Sequence, residues 1–270
     1  MIDYQKIAAH CKTHSTISEK VIDNFLMHYA FTKERLETKM KADFSKYRHL
    51  DFGEVHSSFI NFCKAEYIVS KIFLKNGLIK KYLNHSAIKQ LTKEEYAFLE
   101  LQSQHPWKFS FAIVLDNPAD CFYEMEDVFS GESYLLYSPS MKSTLKNSNP
   151  LLWFNLIGYN GLCWQTFGLV NSFRSFDVDD IFFFATELKP SISNEDELVE
   201  EVETNPVPFF MLSIGADKPQ IFHKEYAICH HQATDSLPAF SLESFKDKFI
   251  VAWNEDVFQL KLKNNFSPFA

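Results

Sequence analysis

The stretch that decides the fold is WKFSFAIVLDNPADCFYEMEDVFSGESYLLYSP, residues 107–139. Trp107, Phe109, Phe111, Ile113 and Leu115 alternate with Lys108, Ser110, Ala112 and Val114, the period-2 pattern of a strand with one well-buried face. Asn117-Pro118 breaks the run. A second strand is predicted over residues 121–128, and Ser130-Gly131 supplies the φ > 0 position of a tight turn into a third at 134–137. The pattern reads as an antiparallel meander.

Upstream of it the period is helical. Thr16-Ile17-Ser18-Glu19 and Thr92-Lys93-Glu94-Glu95 each match a capping box, in which hydroxyl and carboxylate satisfy each other's orphan backbone donors. A helix is therefore expected to start at each, the first running to about residue 44. Val55, Phe59, Cys63, Tyr67, Ile72 and Phe73 trace a further apolar stripe that stops at Asn76-Gly77. At His105-Pro106 the period switches to alternation, the clearest internal boundary in the chain.

Downstream, residues 139–150 read as a polar connection. Residues 151–157 and 162–170 read as a hairpin around Tyr159-Asn160-Gly161. Five strands in so short a span predict a small barrel or strongly curled sheet. Residues 178–188 fit either a buried strand or a helix, 193–204 an acidic helix, and 209–214, 220–231, 249–253 and 257–262 strands. The fold class expected is α+β: a helical region over 1–104, an antiparallel barrel-like body over 105–190, and a C-terminal α+β region over 191–270 that could be continuous with the barrel.

Composition excludes several function classes. The chain has 270 residues, 46% of them hydrophobic, with 28 Phe and 11 Tyr, which suits β-rich packing around large side chains. Its seven glycines form neither a GxGxxG nor a GxxxxGK[ST] loop, so no nucleotide cofactor is expected, and no GxSxG elbow marks a serine hydrolase. Five scattered cysteines without a CxxC pair read as reduced, mostly buried thiols of a cytoplasmic protein. The N-terminal residues lack the apolar core of a signal peptide, and no apolar run approaches the ~20 residues of a spanning helix, so no membrane association is expected. The net charge of −8 is divided unevenly, +4 over residues 1–105 and −12 over 106–270.

Among candidate chemistries, IFHKEYAICHH at 221–231 is the best metal segment. On a strand Cys229 and His231 share a face and could give two ligands to a site completed elsewhere, while His230 points away and His223 lies about 20 Å off. A buried thiol beside a surface histidine is the plainer reading. His10 and His14 have HxxxH spacing, with Cys11 where a zinc protease carries its glutamate, and make a poor metal site. Asp177, Asp179 and Asp180 cluster, and on a strand Asp177 and Asp179 would share a face and could assist acid–base chemistry, but such clusters read first as caps and turns. Lys71, Lys75, Lys80, Lys81 and Lys89 are the only basic cluster, and against a net acidic chain they make nucleic-acid binding unlikely. Trp153, Trp164 and Phe167, on the 151–170 hairpin, are a possible ligand or partner surface, with Trp153 and Trp164 as potential cross-strand neighbours. The resulting expectation is a non-catalytic binding or interaction module with a protein partner. The alternative is a metal-assisted hydrolase using Cys229, His231 and one of the carboxylates from Asp177 to Asp180.

Overall fold

The computed structural model describes residues 2–46, 57–147, 150, 152–173, 178–213, 219–223, 226–230, 249–254 and 257–262. Asp3 opens helix α1 (Tyr4–Val21) by accepting the Lys6 N–H at 3.1 Å. The helix passes straight through the capping box expected at Thr16. The Thr16 hydroxyl instead donates to the Lys12 carbonyl one turn back, at 3.1 Å, so it serves an intact helix rather than starting a new one. A π-helical turn (Ile22–Leu26) carries α1 into α2 (Met27–Thr32), and a left-handed Arg35, φ +53°, turns the chain into α3 (Leu36–Lys46). After α4 (Ser57–Phe73), α5 (Ile79–Leu83) and a 3₁₀ turn (Ser86–Gln90), the second capping box forms as expected. Thr92 Oγ1 accepts the Glu95 N–H at 3.2 Å and Glu95 accepts the Thr92 N–H at 2.9 Å, opening α6 (Lys93–Gln104).

The change of period at His105 marks the entry to the barrel. Strands β1 (Lys108–Ala119), β2 (Phe122–Asp127), β3 (Ser133–Tyr137), β4 (Leu152–Tyr159) and β5 (Trp164–Phe173) close in the order β1-β2-β3-β5-β4. Every pairing is antiparallel except β3 with β5, where Leu136 and Tyr137 run parallel to Trp164 and Gln165 and complete the circle. The turn at Gly131 has the positive φ its sequence requires, +67°.

The alternation in β1 has a double meaning. Trp107, Phe109 and Phe111 are buried, but Ser110 and Ala112 between them are buried as deeply, at 2% and 1% exposure. The large residues face outward beneath helices, and the small ones face a barrel interior whose room is taken by large side chains of the other strands. Outside, Phe111 stacks on Phe154 at 4.4 Å, while Phe209 meets Phe111 and Phe184 edge-on. Inside, Ala112 stands in register with Trp153, and Tyr123, Met125, Leu136 and Ile157 fill the remaining volume. From Ile113 onward the expected buried face fades, and Leu115 is 52% exposed.

Two further expectations are corrected and one open alternative is settled. Residues 139–150 are not a mere connection: α7 (Pro139–Asn147) lays Met141 and Leu145, four apart on one face, against the interior cluster of the barrel. The ambiguous segment is a helix, α8 (Val178–Leu188), burying Ile181, Phe184 and Ala185 at helical spacing. The strand expected at 209–214 is replaced by α10 (Val207–Leu212), whose residues Val207, Phe209, Phe210 and Leu212 are all buried, so no alternation of faces could separate strand from helix. Pro208 fits there because it occupies the first turn, where its missing N–H costs nothing.

The acidic helix α9 (Glu195–Thr204) forms as read, capped by Asn194. It packs against β1. Lys71 of α4 donates to the Glu203 and Thr204 carbonyls at 3.2 and 2.7 Å, a cation at the negative end of the helix dipole. A four-stranded antiparallel sheet, β6 (Pro219–His223), β7 (Tyr226–His230), β8 (Phe249–Asn254) and β9 (Val257–Leu262), follows in the order β6-β7-β9-β8. Among the described residues no helix is long and apolar enough to cross a membrane.

Candidate functional site

The hairpin β4–β5 carries the aromatics singled out in the sequence, and its register turns Trp153 and Trp164 towards the barrel interior and Phe167 to the outside. Trp153 pairs with Ser172, not Trp164, and is 1% exposed in the barrel interior. Phe167 packs on the outside against the Trp107 ring, 5.2 Å away, under the helical layer. Trp164, in register with Tyr159, is half-buried beside Tyr134, and the Lys108 ammonium lies over both rings at 5.1 and 5.2 Å. The three share a hairpin without forming one surface.

The barrel interior is not wholly apolar. Ser110 Oγ donates to Asp127 Oδ2 at 2.6 Å and bonds the Tyr134 hydroxyl at 2.9 Å. Asp127 Oδ1 accepts the N–H groups of Phe129 and Ser130 at 3.2 and 3.0 Å, bracing the β2–β3 turn. Burial pushes the Tyr134 hydroxyl above its ordinary range, so it stays protonated and available as a donor. These groups satisfy one another and fix the turn.

A denser cluster lies where α1 meets the β4–β5 turn. The Asn160 carboxamide oxygen accepts the N–H groups of Leu162 and Cys163, both at 2.9 Å, which folds the turn back on itself. Its amide nitrogen donates to Gln165 Oε1 at 2.7 Å and points at two sulfurs, Cys11 at 3.2 Å and Cys163 at 3.5 Å. Gln165 donates in turn to the Cys11 carbonyl and Ser15 hydroxyl of α1, and His10 Nε2 donates to the Asn160 carbonyl at 2.8 Å. The two sulfurs are 3.5 Å apart. Hydrogen bonding from the Cys11 thiol holds Cys163 below its ordinary pKa, whereas that same bond and burial push Cys11 up.

One turn further along α1, His14 sits against Phe98 and accepts from Gln102 Nε2 at 3.4 Å. Gln102 also donates to the Tyr159 carbonyl at 3.0 Å and accepts from Trp107 Nε1 at 2.5 Å, linking helix, turn and first strand. Burial first, and the neighbouring His10 second, lower the His14 pKa to about 4, so it is neutral near pH 7. His10 and His14 thus do share a helical face, as their spacing requires, but each serves a hydrogen bond of the helix–barrel junction.

The metal pair falls elsewhere. The backbone of Cys229 lies in β7, its side chain and the whole of His231 lie outside the described residues, and so do Asp177 and the side chains of Asp179 and Asp180. Among the described residues no group of three or more His, Cys, Asp and Glu side chains is placed to hold a metal ion. No family model, curated protein or solved structure matches this chain. Its site must therefore be read from its own geometry. That geometry gathers titratable and thiol groups from segments some 150 residues apart, Cys11 with Cys163 and His10 with Asn160, a convergence no local spacing announces. The local signals were the HxxxH spacing around Cys11, which read as a poor metal site, and Asn160-Gly161, which marked the turn but not what docks on it.

Proposed function

We propose that this chain is a non-catalytic binding protein that engages protein partners through its outer surface, the basic helical part and the acidic body serving as separate faces. The observation that carries this reading is the filled barrel. Trp153, Tyr123, Met125, Leu136 and Ile157, none more than 2% exposed, occupy the volume in which a small barrel would hold a ligand. Recognition then falls to the exterior, where α9 supports the acidic face. Leu198 and Val202 anchor α9 to the core, Lys71 fixes its C-terminal end, and Glu195, Asp196 and Glu200 are left exposed on a rigid ridge. A partner for that face is basic, and its capture weakens with salt.

The test compares the wild-type chain with the triple variant Glu195→Lys, Asp196→Lys and Glu200→Lys as baits in its own cells, with circular dichroism confirming that both fold. The expected result is a partner crosslinked by the wild type and lost from the variant. Identical captures by the two, or none by either, remove the reading. About one equivalent of transition metal in protein purified without added metal would replace it by the hydrolase built on Cys229 and His231.

A further inference from the structure

We propose that Cys11 and Cys163 form a peroxide-oxidisable dithiol whose disulfide locks the first helix to the barrel. The two sulfurs meet at 3.5 Å although 152 positions separate them in the chain, and both are buried, at 0% and 2% exposure. Closing to a disulfide bond of about 2.05 Å asks each side chain for a swing of under about 1 Å. The surroundings divide the labour. Asn160 aims its amide N–H at both sulfurs, and the Cys11 thiol hydrogen-bonds Cys163, so Cys163 is the more readily ionised of the two and Cys11 the one that keeps its proton.

Access comes through the turn. Cys163, itself 2% exposed, directly follows Leu162, which is 54% exposed, so oxidation requires the turn to open only far enough to admit a water-sized oxidant. The oxidant is hydrogen peroxide. The Cys163 thiolate attacks one peroxide oxygen, the O–O bond breaks, and hydroxide leaves and is protonated by solvent, giving a sulfenic acid. The Cys11 sulfur then attacks the sulfenic sulfur, the S–O bond breaks, and the departing hydroxide takes the Cys11 proton as water. Two electrons pass from the two thiols to one peroxide, and two waters are formed. With Cys11 in contact, the sulfenic acid is intercepted before it oxidises further.

The experiment treats the reduced full-length chain with hydrogen peroxide, alkylates the remaining thiols and maps the peptides by mass spectrometry. The expected product has lost two hydrogens, carries a linked peptide joining Cys11 to Cys163 and unfolds at a higher temperature than the reduced protein. Asn160→Asp, which keeps the turn-forming oxygen but sets a carboxylate against the thiolate, is expected to slow formation of the link roughly tenfold. Recovery of both cysteines reduced from native protein, their recovery as separate sulfinic acids, or a link from either to Cys121 overturns the proposal. Because the wild-type map decides the matter, failure of any variant to fold leaves the test intact.

Discussion

At the scale of single residues, His14 makes the junction between α1 and the barrel sensitive to acid. Its folded pKa of about 4 lies below its ordinary 6.5, so between those values the unfolded chain binds a proton that the folded chain refuses. The contribution of neutral His14 is complete above pH 6.5 and is lost as the pH falls towards 4, amounting to at most ~3 kcal/mol. Urea unfolding across that range is expected to show the loss in the wild type and a flatter profile in His14→Gln. Glu95 is held below its ordinary range by the Thr92 N–H, and its contribution disappears only at more acid pH, which separates the two. Gly158 is a second sensitive point. A Cβ there would sit 2.6 Å from the Trp107 indole, itself stacked on Phe73 at 4.6 Å and bonded to Gln102, so the ring cannot give way cheaply. Gly158→Ala is expected to cost ~1–3 kcal/mol in chemical denaturation. Nothing in the sequence marked either residue for this role. His14 read as half of a weak metal motif, because the residues that bury and bond it come from α6.

At the scale of elements, two segments with the same capping-box spelling behave differently, and the contrast is measurable. Thr92→Ala should cost ~1 kcal/mol, since it strips α6 of its first hydrogen bonds. Thr16→Ala should change stability by less than ~0.5 kcal/mol or improve it slightly, because Thr16 lies inside α1 and alanine is the better helix former. Equal losses at both would contradict the continuous helix. The same contrast shows what local sequence can convey. The period of residues 107–112, the Gly131 turn, the β4–β5 hairpin and the helix cap at Thr92 are settled by neighbours within a few positions, and all were legible. Helix α7 was not, because its polar string carries only Met141 and Leu145 as anchors and what they anchor to is the barrel interior. Helix α10 was not, because a short segment buried all round has no period to read.

At the scale of the whole molecule, one hydrophobic cluster runs from Val21 to Leu212 and takes in α4, the outer face of the barrel, α8, α9 and α10. The division into basic and acidic parts is therefore a division of surface over a shared interior. Sequence patterning announced the strands but not their closure, since the parallel contact of β3 with β5 depends on the curl of the whole sheet. It also left unstated that β1 and β4 would be covered twice, by helices outside and by the packed interior within. That double covering is the central claim, because a solid barrel leaves binding to the outer surface. Strand β4 tests it most directly: it lies between β1 and β5 and is buried at seven of its eight positions. In native-state hydrogen exchange of the full chain, the amides of residues 152–159 should be the slowest described, opening only with global unfolding, while residues 115–117 of β1, exposed on the surface, exchange far sooner. Exchange of the β4 amides as fast as that exposed stretch would mean a barrel open to water, and would contradict the account.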